Sequence, residues 1–202
     1  MQVWFFFSLL GFIVTIPLYL LSLEHSKLEG KYGKARGKRI GEIFGMVSGW
    51  GFFLFWFGIW LSPQDRFALP FLQEFSIQIP ILNLTIYLIN SLIFTPLFIA
   101  GAYFGVGGVI QTSLKVAETH RAERIATRGV YSVVRHPQYL GGILAHIGFS
   151  IFLSALYSLL ATPLVIAVIY IISWKEETEL TNEFGKGYVD YQKKVPMIIP
   201  RL

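Results

Sequence analysis

The chain contains no cysteine, so disulfides, thiolate zinc sites, iron–sulfur clusters and cysteine nucleophiles are excluded at once. The same absence leaves the redox compartment unreadable. Charge is scarce as well: Asp, Glu, Lys and Arg make up 14% of the 202 residues, against about 25% in a soluble globular chain. The four histidines, His25, His120, His136 and His146, have no metal-ligand spacing such as His-Glu-x-x-His, so no metal is expected. Gly37-Lys38 is not part of a phosphate cradle, because position 32 is Tyr and Arg39 stands where Ser or Thr belongs. Gly105-Val106-Gly107-Gly108 closes an apolar run with no strand before it, which argues against a dinucleotide fingerprint. No repeat of about 20–50 residues is evident.

What is present is apolar. Hydrophobic residues make up 54%, with 18 Phe, 5 Trp and 10 Tyr, and the mean hydropathy is +0.57. That composition, with its aromatic load, predicts an integral membrane protein of all-α class. A bilayer core needs about 20 apolar helical residues. Val3–Leu23, Ile40–Leu61, Ile81–Val109, Tyr139–Leu160 and Pro163–Trp174 supply about five spans, the fifth continuing as helix toward Glu183. The first lacks a basic n-region and its apolar stretch is too long for a signal peptide. A four-span arrangement without it keeps the same inside loops.

Basic residues set the expected orientation. Sixteen of the 17 fall in three segments, Lys27–Arg39, Lys115–Arg135 and Lys175–Arg201, and only Arg66 lies on the other side. The N-terminus is therefore expected outside and the C-terminus in the cytoplasm. The net charge of +5 reads as topology and attraction to anionic membrane lipids, not as nucleic-acid binding.

The chain reads as one structural domain with unequal halves. Residues 1–110 carry the first three spans, while residues 111–202 hold three of the four histidines and seven of the twelve acids. Val116–Arg128 predicts an amphipathic helix along the cytoplasmic surface, broken at Gly129, which is free to take positive φ. Pro137 suits the first turn of the fourth span, whose N-terminus would face an anion near Arg135 and His136. Gly141 and Gly142 let a ligand or a helix approach the backbone. The plainer reading takes Arg135 as a topology charge and the glycines as packing features. Glu176 and Glu177 oppose the macrodipole of the fifth helix, which suggests a cationic partner or a solvated face. Tyr188 and Tyr191 share a helix face and can cover an apolar cofactor or anchor at the interface. Gly41, Gly45 and Gly49 predict close helix packing, which permits an oligomer without indicating one. Glu42 is expected to snorkel or pair with Lys38 and Arg39, and His146 to be a hydrogen-bonded core residue.

Together these residues resemble the isoprenylcysteine carboxyl methyltransferase and phospholipid methyltransferase superfamily of membrane enzymes, over about Glu123–Leu202. The carrying motifs are Arg135-His136-Pro137-Gln138-Tyr139 and Glu176-Glu177-Thr178-Glu179-Leu180, in that order. Ile125-Ala126-Thr127-Arg128-Gly129-Val130-Tyr131 resembles the segment leading into the first. Phe184-Gly185, Tyr188, Tyr191, Val195-Pro196 and Pro200 resemble the C-terminal signature. The resemblance implies S-adenosylmethionine bound in the C-terminal half and closed over by the C-terminal segment. Its binding positions match Tyr131, His136, Pro137, Gln138, Tyr139 and Glu176, with the stretch Glu123, Arg124, Ile125 and Ala126 aligned to a cofactor-contacting segment. Glu123 departs from the family's histidine. Ile172 stands where the isoprenylcysteine enzymes place a substrate-contacting arginine, which weakens the case for a prenylcysteine carboxylate.

The cofactor's chemistry suits these side chains. Glu176 with Glu177 can hold its ammonium, Arg135 and the fourth helix's N-terminus its carboxylate, and Tyr131, Tyr139, Tyr188 and Tyr191 its adenine and sulfonium. Arg135 and Glu176 are the candidate catalytic residues. The expected activity is methyl transfer to a lipophilic acceptor that enters from the bilayer, with the site facing the cytoplasm. The alternatives are an NADPH-dependent membrane reductase of the sterol-reductase type and a non-catalytic lipid-binding protein.

Overall fold

The computed structural model describes residues 2–70, 72–82, 84–120, 122 and 124–201. It is mostly helical. Helix α1 spans Val3–Leu23, α2 His25–Tyr32, α3 Lys34–Leu61, α4 Leu88–Thr112, α5 Leu114–Thr119, α6 Pro137–Phe152, α7 Leu156–Leu160, α8 Thr162–Phe184 and α9 Lys186–Lys194. Among the described residues, α1, α3 and α4 are long and apolar enough to cross a bilayer. Helix α6 has 16 residues, and α8 turns charged from Lys175 onward, so neither offers a comparable apolar length.

Two helix pairs form the body. In the first, α1 packs on α3 with the Phe12 and Phe52 rings 4.4 Å apart. A Cβ on Gly58 would stand 2.4 Å from Ser8 Oγ, so the two helices approach closely here. In the second, α4 crosses α6 closely enough that a Cβ on Gly141 would lie 2.5 Å from the Gly105 backbone nitrogen. Small residues at such crossings gain dispersion contacts that lipid cannot supply. The buried core of Phe12, Trp56, Ile59, Ile169 and Ile172 then joins α1 and α3 to α8. His146 sits within it, accepting at Nδ1 from the indoles of Trp56 at 2.9 Å and Trp60 at 2.8 Å, as a core histidine should.

Three sequence expectations change. The apolar run from Ile81 does not begin as helix. Strands β1 (Ser76–Ile79) and β2 (Leu84–Tyr87) form an antiparallel hairpin with Ser76 opposite Tyr87 and Ile79 opposite Leu84. Short Ile- and Thr-containing runs around Pro80 suit strands, and periodicity alone does not separate them from helix. The fourth span is not continuous either. Helix α6 stops at Phe152, Ser154 takes φ +53°, and α7 follows. Side chains satisfy the backbone freed by this break: Asn90 Nδ2 donates to Ile151 O at 2.8 Å, and Arg66 donates to Leu153 O at 2.6 Å. The surface helix expected over Val116–Arg128 ends at Thr119, because His120 turns left-handed at φ +54°. The glycine row of α3 packs closely on a helix as expected: a Cβ on Gly45 would sit 2.9 Å from Glu118 O, so this row admits α5.

Candidate active site

Helix α6 begins at Pro137, and the turn before it carries Arg135 and His136 beneath α8 and α9. The Arg135 guanidinium grips Glu177 with both faces of its fork, Nε to Oε1 at 2.5 Å and Nη2 to Oε2 at 2.9 Å. Its Nη1 donates to Gln192 O at 3.0 Å and also to Val195 O. The backbone N–H groups of Arg135 and His136 donate to Pro196 O at 2.9 Å and Met197 O at 3.0 Å. One arginine thus fastens the C-terminal segment onto α6 and α8. Burial alone would raise the Glu177 carboxyl, but hydrogen bonds from His136 and Arg135 outweigh it and hold the group well below the usual carboxylate range.

Glu176, one residue earlier, has a different environment. Tyr139 donates its hydroxyl hydrogen to Glu176 Oε2 at 2.9 Å, and His136 Nδ1 lies 3.6 Å from the same oxygen. Oε1 accepts no hydrogen bond from any described residue, and the side chain remains 28% exposed. Adjacent positions on a helix point about 100° apart, so one carboxylate is committed to structure while its neighbour faces open space.

That space is a cavity of about 260 Å³, close to the ~300 Å³ at which small-molecule clefts begin. Among the residues expected at the site, Arg124, Ile125, Ala126, Tyr131, Arg135, His136, Gln138, Tyr139, Glu176, Tyr188 and Tyr191 line it. Pro137 and Glu177 stand behind the wall, as helix start and arginine partner. Glu123 lies outside the described residues. Tyr191 donates to Tyr131 O at 2.5 Å, and Gln138 Nε2 donates to the Tyr131 hydroxyl at 3.2 Å, so these rings are held in place. Burial raises the phenols of Tyr188 and Tyr191, keeping them neutral.

The opposite wall was not legible from motifs. Tyr19 of α1, Gly49, Phe52 and Trp56 of α3, and His120 after α5 complete the cavity. Tyr19 and Tyr139 share a hydrogen bond of 2.9 Å, which links α1 to Glu176. Ile172 lines this end and is 1% exposed. No short motif joins Tyr19 or His120 to the rest; only long-range packing brings them together.

The donor set suits S-adenosylmethionine. The cavity offers the Glu176 carboxylate, several neutral aromatic faces and arginine at Arg124 and Arg135, matching an ammonium, a sulfonium and purine, and a carboxylate. Arg135 has one N–H left after its bonds to Glu177, Gln192 and Val195.

The sequence model of the phospholipid methyltransferase family matches residues 81–187, and the chain belongs to that family. It is similar to protein-S-isoprenylcysteine O-methyltransferase of Xenopus laevis, 34% identical over 41% of this chain and 29% of the relative. The Schizosaccharomyces pombe protein of the same name is 30% identical over 50% of this chain and 45% of its own. Methanethiol S-methyltransferase 2 of Bradyrhizobium diazoefficiens is 36% identical over 36% of this chain and 27% of the relative. The chain therefore spans less than half the length of these relatives. No solved structure matches it. These names are all of methyltransferases, so the reductase alternative is not favoured.

Proposed function

We propose that this chain is a multi-pass membrane methyltransferase that uses S-adenosylmethionine and acts on a lipophilic acceptor at the cytoplasmic face. The observation that carries the reading is Glu176 Oε1, which has no partner among the described residues and faces an aromatic-walled cavity beside the family's Arg-His-Pro-x-Tyr turn. Five membrane-crossing segments with the N-terminus outside remain the arrangement that best accommodates the basic loops. S-adenosylmethionine supplies an electrophilic methyl group on a sulfonium.

The chain's residues divide the remaining work. Glu176 holds the ammonium through Oε1, oriented by Tyr139 and His136. Arg124 and the remaining Arg135 N–H suit a carboxylate, while Tyr131, Tyr188 and Tyr191 cover the purine. The segment pinned by Arg135 closes over the site and excludes water, which strengthens these electrostatic contacts. On the far side, Phe52, Trp56, Ile169 and Ile172 form an apolar wall for the acceptor. Relatives carry the names of isoprenylcysteine and methanethiol methyltransferases, and an apolar acceptor agrees with both.

Equilibrium binding to the purified protein in lipid nanodiscs tests the reading. Saturable S-adenosylmethionine binding, displaced by S-adenosylhomocysteine but not by NADPH, is expected. Glu176→Gln should weaken that binding by about 10–100-fold, the worth of one hydrogen bond to a charged group. Unchanged affinity in a folded Glu176→Gln variant would remove the assigned role.

A further inference from the structure

His120 belongs to none of the motifs, yet its ring is held by specific partners on both sides. Its left-handed backbone places the imidazole over Tyr19, with ring centroids 3.9 Å apart and planes 27° apart. Ser22 Oγ lies 2.7 Å from His120 Nδ1. The same hydroxyl lies 2.6 Å from Tyr19 O, to which it can only donate. With the hydroxyl hydrogen on Tyr19 O, Nδ1 is the protonated nitrogen that donates to Ser22 Oγ, and this is the tautomer the proposal assigns. His25 Nε2 donates to His120 O at 3.0 Å and holds the backbone.

In this neutral tautomer Nε2 carries a lone pair. It accepts no hydrogen bond from any described residue. It looks toward α3 at Gly49, where an added Cβ would stand 3.8 Å away, and both residues line the cavity that contains Glu176. Burial, followed by the charge of His25, lowers the imidazole to about 3, so the lone pair is present throughout the neutral range. A histidine that only filled space would not need this tautomer, nor a lone pair turned into a ligand cavity.

We propose that His120 Nε2 is the general base of the reaction and that the acceptor is a neutral thiol on an apolar group. The inference rests on the methyl-transfer reading. As the acceptor sulfur bonds to the methyl carbon, the bond from that carbon to the donor sulfonium breaks, and its electron pair stays on the donor sulfur. The acceptor S–H breaks and its proton passes to Nε2. The resulting imidazolium keeps its Nδ1–H on Ser22 Oγ, and the single positive charge has moved from sulfonium to histidine. A weak base suffices, because a protonated thioether is a far stronger acid than an imidazolium. A carboxylate acceptor arrives without a proton and leaves Nε2 no task. It would also meet Ile169 and Ile172 where it needs a cation. An alkylamine arrives as ammonium and must shed a proton before it can attack. A weakly hydrated thiol suits the apolar wall and uses the base.

The test compares two thiols with the protein in nanodiscs: 1-octanethiol, protonated at neutral pH, and 4-nitrothiophenol, which is ionised there. His120→Asn tolerates the left-handed backbone and retains a donor for Ser22. It should bind S-adenosylmethionine as the wild type does yet methylate octanethiol about 100-fold more slowly or worse. The ionised thiol should lose less than about tenfold, because it needs no base. Ser22→Ala, which only frees the ring, should give a smaller loss with the same preference. Independently of activity, nitrogen NMR of ¹⁵N-histidine-labelled protein should show His120 protonated at Nδ1 and bare at Nε2. Equal losses with both thiols, an Nε2–H tautomer, or a wild type that binds cofactor but methylates neither thiol would overturn the proposal. A folded wild type that binds no S-adenosylmethionine would remove the underlying reading instead.

Discussion

The two walls of the cavity are built by different means. The wall made from Arg135–Tyr139, Glu176 and α9 comes from short segments, and a single guanidinium ties them together through Glu177 and the carbonyls of Gln192 and Val195. The facing wall comes from Tyr19, Gly49, Phe52, Trp56 and His120, residues spread over more than a hundred positions. Aromatic packing and a few isolated hydrogen bonds hold it. Charge organises the first wall because its members lie beyond the apolar runs, where ions can be paired and partly hydrated. Shape organises the second because its members lie within or beside them, where an unpaired charge is costly.

Breaking the charged wall should have the largest effect. Arg135→Ala removes the arginine from the buried Glu177 and leaves it only His136 and Gln192; removing one member of such a pair costs about 3–5 kcal/mol. Hydrogen exchange should rise across residues 186–197 while α1 and α3 stay protected. Uniform loss of protection would instead mean that the two walls unfold as one.

Acid should separate the walls more gently. Glu177 is lowered from 4.5 to about 2, so its contribution is fully present above its ordinary value and lost as the pH falls through about 2. His120 is lowered from 6.5 to about 3. A base whose folded value is depressed binds protons more readily when unfolded, so its contribution is full above 6.5 and declines as the pH falls toward 3. The thermal midpoint should therefore begin to fall below neutrality and fall further in stronger acid. His120→Asn should remove the first arm and Glu177→Gln the second; an unchanged profile in His120→Asn would show that His120 does not titrate as assigned.

The smallest effect belongs to the exposed rim of the charged wall. Lys193 pairs with Asp190 at 3.1 Å, but both side chains are largely exposed. Lys193→Ala should change stability by less than about 1 kcal/mol, measured by thermal unfolding beside Arg135→Ala. A larger loss would mean that α9 relies on its surface charges as much as on Arg135.

Much of this was legible before the structure. Helix α1 occupies Val3–Leu23, the span expected from its apolar run, because uninterrupted hydrophobicity of that length has few other solutions. The motif residues were legible as a group because they lie in short stretches around helix ends. Their division of labour was not. Glu176 and Glu177 look alike as letters, and only the position of the Arg135 fork separates an open carboxylate from a committed one. The hairpin before α4 and the break after α6 were hidden for a related reason. A strand pairing across Pro80, and carbonyls satisfied by Asn90 and Arg66, depend on partners that no local window contains.

The sequence by itself determined a helical chain of membrane character, its family, and the stretch where polar chemistry gathers. Composition, apolar run length and ordered motifs are local properties, and they survive being read one segment at a time. The tertiary structure decided which glutamate the Arg135 fork takes, what surrounds the His120 ring, and that α1 and α3 close the cavity. Those are properties of pairs and triads of distant residues, settled by which groups meet once the helices have packed.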